Sequence, residues 1–190
     1  TCNGGNDGTA IYTVTGGTAP YDITDDLNLT AGDYTSIVTD SNGCTASVSF
    51  TITEPDVLEI SVATTDVSCN GLSDGTAIYT VIGGTGPYDI IDDLNLTAGD
   101  YTSTVTDSNG CTESVSFTIT EPEVLEISVA TTDVSCNGLS DGTAIYTVNG
   151  GTGPYDITDD LNLTAGDYTT VVTDSNGCTA SVSFTISEPE

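Results

Sequence analysis

The sequence predicts an all-β protein of three tandem immunoglobulin-like β-sandwich domains with essentially no helix. A block of sequence recurs with a period of 67 residues, marked by Cys2, Cys69 and Cys136. Within each block, apolar and polar residues alternate with period two, as in strands with one buried face. Gly-, Pro- and Asn-rich turns separate these runs at intervals of about 8–12 residues, which is typical of a β-sandwich. No segment has the apolar period of a helix.

The first half of each copy is predicted to contain short strands. In the first copy, Thr1–Gly8 is a loop and Thr9–Val14 is a strand. Gly16–Pro20 forms a turn, because Pro and paired Gly interrupt strands. Tyr21–Ile23 is a short strand, and Asp25–Thr30 is a connection or a brief strand.

The second half of each copy, Ala31–Thr53 in the first, is predicted to be a β-hairpin with one buried face. Asp40-Ser41-Asn42-Gly43 supplies the turn, since short polar side chains hydrogen-bond their own backbone and Gly accepts positive φ. Position 37 varies among the copies, so its face is expected to be exposed. The residues expected on the buried face are Cys44, Val48, Phe50 and Ile52.

Glu-Pro pairs are expected to end the domains, because proline cannot donate a hydrogen bond to a strand ladder. The predicted domains are 1–56, 57–123 and 124–190. The segment Val57–Val67 opens the second copy as a strand, and the first copy has no equivalent of it. We therefore expect Thr1 to be preceded by a similar strand in a longer array, since an open sandwich exposes an unpaired edge.

Six cysteines at identical spacing in the three copies indicate disulfides and an oxidising compartment, and the protein is expected to be extracellular. Pairing within each copy uses every cysteine and would contribute about 4 kcal/mol per bond on the chain-entropy model. The preferred pairs are Cys2–Cys44, Cys69–Cys111 and Cys136–Cys178. The alternative, Cys44–Cys69 with Cys111–Cys136, leaves Cys2 and Cys178 unpaired.

The charge of the chain excludes several classes of partner. It has no Lys, Arg or His against 29 Asp and Glu, so nothing could neutralise the phosphates of nucleic acid. The same charge disfavours anionic membrane surfaces, and no apolar run is long enough to span a bilayer. Without His or Lys for base chemistry, an enzyme is not expected.

Calcium and glycans are the ligands that the residues suggest, and no cofactor is required. Adjacent carboxylates could contribute to a calcium site, although no EF-hand loop is present. These candidates are Asp25, Asp26, Asp92, Asp93, Asp159 and Asp160. N-x-T acceptors for glycans occur on predicted surface turns at Asn28, Asn95 and Asn162.

Three motifs together carry a resemblance to a known family. They are a C-x-G…DG opening, a GG-T-x-P-Y turn, and an L-x-x-G-x-Y…V-T-D-x-x-G-C hairpin. The chain resembles the SprB-type repeat of Bacteroidota, which implies secreted adhesins and surface filaments built as long tandem arrays. We therefore expect a structural element of an extracellular fibre or adhesin stalk that contacts neighbouring repeats or further copies of itself. The alternative is a calcium-dependent adhesive module that binds glycans or another surface.

Overall fold

A computed structural model describes residues 1–190 and confirms the predicted all-β class, with 14 strands in small antiparallel sheets and no helix. Each of the three copies contributes part of this series. The strands are β1 (Gly8–Ala10), β2 (Asp26–Leu29), β3 (Gly32–Thr39), β4 (Thr45–Ile52), β5 (Glu59–Thr65), β6 (Gly75–Ile82), β7 (Asp93–Leu96), β8 (Gly99–Thr106), β9 (Thr112–Ile119), β10 (Glu126–Thr132), β11 (Gly142–Asn149), β12 (Asp160–Leu163), β13 (Gly166–Thr173) and β14 (Thr179–Ile186).

The chain divides into two compact units. The first comprises Thr1–Val62, Tyr79–Ile91 and Thr102–Ser116. The second comprises Ala63–Ile78, Asp92–Tyr101 and Phe117–Glu190. The first copy therefore lies in the first unit and the third copy in the second unit, while the second copy contributes to both. The three predicted domain boundaries remain a prediction.

The third copy shows the complete repeat. Strands β10, β11 and β12 form one antiparallel sheet in that order, and β13 and β14 form the predicted hairpin. The expected short strand before β12 is reduced to a single bridge between Asp156 and Thr173. This order corresponds to the A-B-E and C-F-G strands of an immunoglobulin sandwich, without strand D and with strand C reduced to one bridge.

The core of the third copy lies between its sheet and its hairpin. The ring of Tyr146 on β11 meets the ring of Phe184 on β14 edge to face, with centroids 6.1 Å apart. A Cβ on Gly142 would lie only 2.9 Å from Ile186 Cγ2, so glycine is needed where the two layers approach. The most deeply buried side chains are those of Ala144, Val172 and Ile186.

A tyrosine fixes the corner that leads into the hairpin. The Tyr168 hydroxyl donates a hydrogen bond to the Thr164 carbonyl oxygen, 3.0 Å away. Its ring stacks on Phe184 with centroids 5.5 Å apart. This arrangement resembles the tyrosine corner of immunoglobulin domains, and it explains why the L-x-x-G-x-Y motif precedes the hairpin.

The first copy has a shorter version of the same sheet. Its β1 has three residues, whereas the equivalent β11 has eight. In the third copy, β10 pairs with β11 along its full length, from Glu126 opposite Asn149 to Thr132 opposite Thr143. The first copy has no strand equivalent to β10, so residues 11–14 have no ladder on that side and the predicted strand Thr9–Val14 is only partly formed.

Candidate functional site at the joints between repeats

The opening loop of each repeat packs against the end of the last strand of the same repeat. In the third copy, Asn137 Nδ2 donates to the Pro189 carbonyl oxygen and the Gly138 amide donates to Glu188 Oε2. The first and second copies make the same two contacts. The loop cysteine therefore lies at one end of the last strand, and the cysteine of the hairpin turn lies at the other.

This placement overturns the predicted disulfide pairs. Eight residues of strand separate the two cysteines of one repeat, about 27 Å at 3.4 Å per residue, whereas a disulfide needs Cα atoms less than about 7 Å apart. The structure instead pairs the loop cysteine of one repeat with the turn cysteine of the next. The bonds are Cys2–Cys111 and Cys69–Cys178, with Cα atoms 5.8 and 5.7 Å apart and a sequence separation of 109 residues in each. Cys44 and Cys136, also predicted to be bonded, are unpaired and exposed.

A second contact accompanies each disulfide. The Asn109 amide donates from Nδ2 to the carbonyl oxygen of Thr1, the residue before Cys2, at 3.0 Å. Asn176 makes the same bond, at 2.9 Å, to Ser68, the residue before Cys69. Each joint is therefore formed by the D-S-N-G-C turn of one repeat and by two residues in the opening loop of the preceding repeat, the loop cysteine and the residue before it.

A buried aspartate holds the hairpin turn in shape. The Asp174 carboxylate is 5% exposed and accepts hydrogen bonds from the amides of Asn176 and Cys178 through Oδ1 and of Thr152 through Oδ2. Burial raises the pKa of Asp174, but the hydrogen bonds from Thr152, Cys178 and Asn176 outweigh it, so the pKa lies below its usual value. Asp107 and Asp40 occupy the same position with the same direction of shift. Sequence reasoning identified the turn but missed that its aspartate also binds the Gly-Gly turn.

The Gly-Gly turn accommodates the segment that precedes the first strand. A Cβ on Gly83, whose φ is +69°, would overlap the Val57 carbonyl oxygen at 1.7 Å. The amide of Gly84 donates to the Asp56 carbonyl oxygen at 2.9 Å, and Leu58, 8% exposed, packs over Gly84. Both positions of the turn must therefore be glycine, because the backbone of residues 56–58 crosses directly over them.

The first repeat has the Gly-Gly turn but no segment that crosses it. A Cβ on Gly16, equivalent to Gly83, would meet nothing within 4 Å. Beside it lies a cleft of about 220 Å³. Its apolar lining includes Val14, Ile23, Val38 and Val48. We call this the open cleft. The valine equivalent to Val38 is fully buried in each of the other two repeats.

The predicted calcium ligands have structural partners. Asp25 Oδ1 accepts a hydrogen bond from the Tyr12 amide at 2.9 Å, and Asp26 Oδ2 accepts one from the Tyr12 hydroxyl at 2.6 Å. Asp159 and Asp160 bind Tyr146 in the same way. No group of three or more Asp, Glu, Cys or His side chains is gathered closely enough to hold a metal ion. A calcium site remains a prediction.

The predicted glycan acceptors lie at β-bulges. Asn162 has a φ of +64°, and the register between β11 and β12 shifts beside it, so Asn162 is the extra residue. Asn tolerates this left-handed conformation better than most residues, which gives a structural reason for its presence. Asn28 and Asn95 have the same conformation, and all three side chains are exposed. Glycosylation remains a prediction.

The SprB repeat family model matches three segments of the chain, residues 1–24, 61–93 and 128–158. Each segment includes the cysteine loop and the Gly-Gly turn and ends before the hairpin. No curated protein and no solved structure is detectably similar to the chain. No helix in the structure has the length and apolar character needed to cross a membrane. SprB repeats indicate a cell-surface or adhesin-type protein, and the disulfides agree with an extracellular location. The resemblance to the SprB repeat is therefore confirmed in all three copies.

Proposed function

We propose that this chain is a structural element of an extracellular fibre or adhesin stalk, and that it acts by holding successive repeats in a fixed series. The observation that carries this proposal is the disulfide joint. Both pairs of successive repeats are joined by a bond of the same spacing and by the same asparagine hydrogen bond. A covalent link in addition to the peptide linker is suited to a shaft that must transmit load.

Other features support a structural role. The 29 acidic residues without any basic residue make the surface uniformly anionic, which favours solubility and opposes non-specific association with other anionic surfaces. The carboxylates closest to the core stabilise the fold, because they accept hydrogen bonds from a tyrosine hydroxyl, as Asp26 does, or from backbone amides, as Asp174 does. We therefore assign no catalytic role to the chain, and the proposal requires no cofactor.

Electron cryo-microscopy of the native surface material would test this function. We expect a continuous fibre whose density repeats once per 67-residue copy, with density joining the loop cysteine of each copy to the hairpin turn of the next. Material carrying Ser at Cys2 and Cys69 would provide a control in which the joining density is lost. Isolated globular particles, or repeats attached singly to an enzyme or receptor domain, would contradict the proposal.

A further inference from the structure

Two thiols in this chain are equivalent to cysteines that are bonded elsewhere in it. Cys136 occupies the opening-loop position of Cys2 and Cys69, and Cys44 occupies the hairpin-turn position of Cys111 and Cys178. Both are exposed and unpaired. We propose that each is half of a further joint with another repeat of the same type, and that a second copy of this chain placed head to tail supplies such a repeat, so that Cys136 of one copy forms a disulfide with Cys44 of the other.

The hairpin half of this joint is already in its bonded form. The Asp40 carboxylate accepts hydrogen bonds from the amides of Asn42, Cys44 and Thr18, at 2.9, 2.8 and 3.0 Å. Asp107 and Asp174 make the same bonds in the two turns that carry a disulfide. Cys44 is therefore presented on a turn with the same backbone arrangement as those of Cys111 and Cys178.

The loop half is also formed. Asn137 and Gly138 fix the loop of the third copy to the end of its own last strand, as in the two copies whose loop cysteines are bonded. The residue before Cys136 is Ser135, whose carbonyl oxygen is equivalent to the oxygens that accept from Asn109 and Asn176. In the proposed joint, the Asn42 amide donates to this oxygen.

The chemistry is thiol–disulfide exchange with a small disulfide such as oxidised glutathione as the oxidant. The Cys136 thiolate attacks the oxidant and forms a mixed disulfide, which releases one glutathione thiolate. The Cys44 thiolate of the second copy then attacks the Cys136 sulfur and releases the second glutathione. Two protein thiols are oxidised to one disulfide, and the oxidant is reduced to two thiols.

This inference deepens the proposed function by naming the partner as another repeat of the same type. It is tested with two single variants of the full chain, C44S and C136S, each of which keeps one of the two thiols. They carry different affinity tags and are mixed in a glutathione redox buffer at high salt, which screens the repulsion between two chains of net charge −29. Dimers are then separated without reductant, and their disulfides are mapped by mass spectrometry.

We expect the mixed dimer to exceed either homodimer by about tenfold, because docking of turn and loop raises the effective concentration of the correct thiols. An Asn42→Ala change in the C136S chain should reduce this excess. Asn109→Ala in the same chain is the matched control, because it alters only a joint within the chain. Thiol titration and circular dichroism would verify that each variant is folded with one free thiol.

A statistical mixture of the three dimers would overturn the inference, because it would show that the two thiols react only as exposed cysteines. A mixed dimer that forms equally well with Asn42→Ala and without it would overturn the proposed joint geometry. Neither result would affect the fibre function, which depends on the two joints within the chain and is tested by microscopy. Loss of the fibre with preferential mixed dimers would refute the function and leave this inference intact.

Discussion

The pairing of loop and turn cysteines between successive repeats limits how far the chain can be stretched. The perturbation is force applied at the two ends of the unaltered chain, of the Cys111→Ser variant, which lacks the first joint, and of the Cys44→Ser variant, which keeps both joints. In the oxidised chain, the shortest covalent path runs from Cys2 to Cys111, back along the chain to Cys69, across to Cys178, and on to the end. Complete unfolding cannot extend the molecule beyond this path.

The lengths follow from the positions of the bonds. The shortest path contains about 55 residues, which corresponds to about 190 Å at about 3.5 Å per residue, whereas the reduced chain would reach about 660 Å. The Cys111→Ser variant loses the first bond, and its shortest path has about 80 residues, or about 280 Å. Cys44→Ser is the matched control, and its length should remain about 190 Å because Cys44 is unpaired.

Single-molecule force spectroscopy with handles at both ends measures these lengths directly. Addition of dithiothreitol during pulling should lengthen all the proteins to the reduced value. The reasoning would be refuted if Cys44→Ser lengthened the oxidised chain. Disulfides within each repeat would give that variant a path of about 105 residues, or about 370 Å.

Four further predictions concern the fold and its ligands. Leu58→Ala should lower the free energy of unfolding in urea by about 3 kcal/mol because Leu58 is 8% exposed, whereas Leu94→Ala, at 60% exposure, should change it by less than about 0.5 kcal/mol. The pKa of Asp174 is lowered in the fold, so its carboxylate stabilises the fold above the usual carboxyl pKa, and this stability is lost as pH falls through the lowered pKa. Asp174→Asn should therefore flatten the acid side of a curve of unfolding free energy against pH. An unchanged slope on the acid side would contradict this. Because the chain has 29 acidic residues and no basic ones, NaCl should raise its melting temperature by screening their repulsion, and CaCl₂ at equal ionic strength should raise it no further. A further rise with CaCl₂ would contradict this and would indicate an ordered calcium site. A synthetic peptide of residues 124–134 should occupy the open cleft and slow hydrogen exchange at residues 11–15, whereas a scrambled peptide should not.

Much of the fold follows from local patterns in the sequence. The alternation around Asp40-Ser41-Asn42-Gly43 predicted the hairpin β3–β4, and the structure contains it in all three copies. The period of 67 residues predicted the repeats, and position 37 was correctly placed on the exposed face, where Ile37 is 60% exposed. Period-two burial and turn chemistry act over a few residues, so they can be read without the tertiary structure.

Other features depend on contacts between distant residues. The tyrosine corner and the bulges at Asn28, Asn95 and Asn162 join elements that the sequence alone does not align. The role of Asp174 in binding the Gly-Gly turn depends on a backbone amide 22 residues away. Hydrogen bonds of this kind leave no period in the sequence, so the sequence identifies this aspartate as a turn residue without revealing its bond to the Gly-Gly turn.

The sequence by itself determined that this chain is acidic and all-β, that it contains three repeats which resemble the SprB repeat, and that each copy has cysteines at two fixed positions. The tertiary structure decided which cysteines meet. Equal spacing is compatible with bonds within a repeat or between repeats, because spacing measures distance along the chain. The disulfide depends on distance in space, and the extended strand β14 holds Cys178 away from the loop of its own repeat while its turn lies beside Cys69.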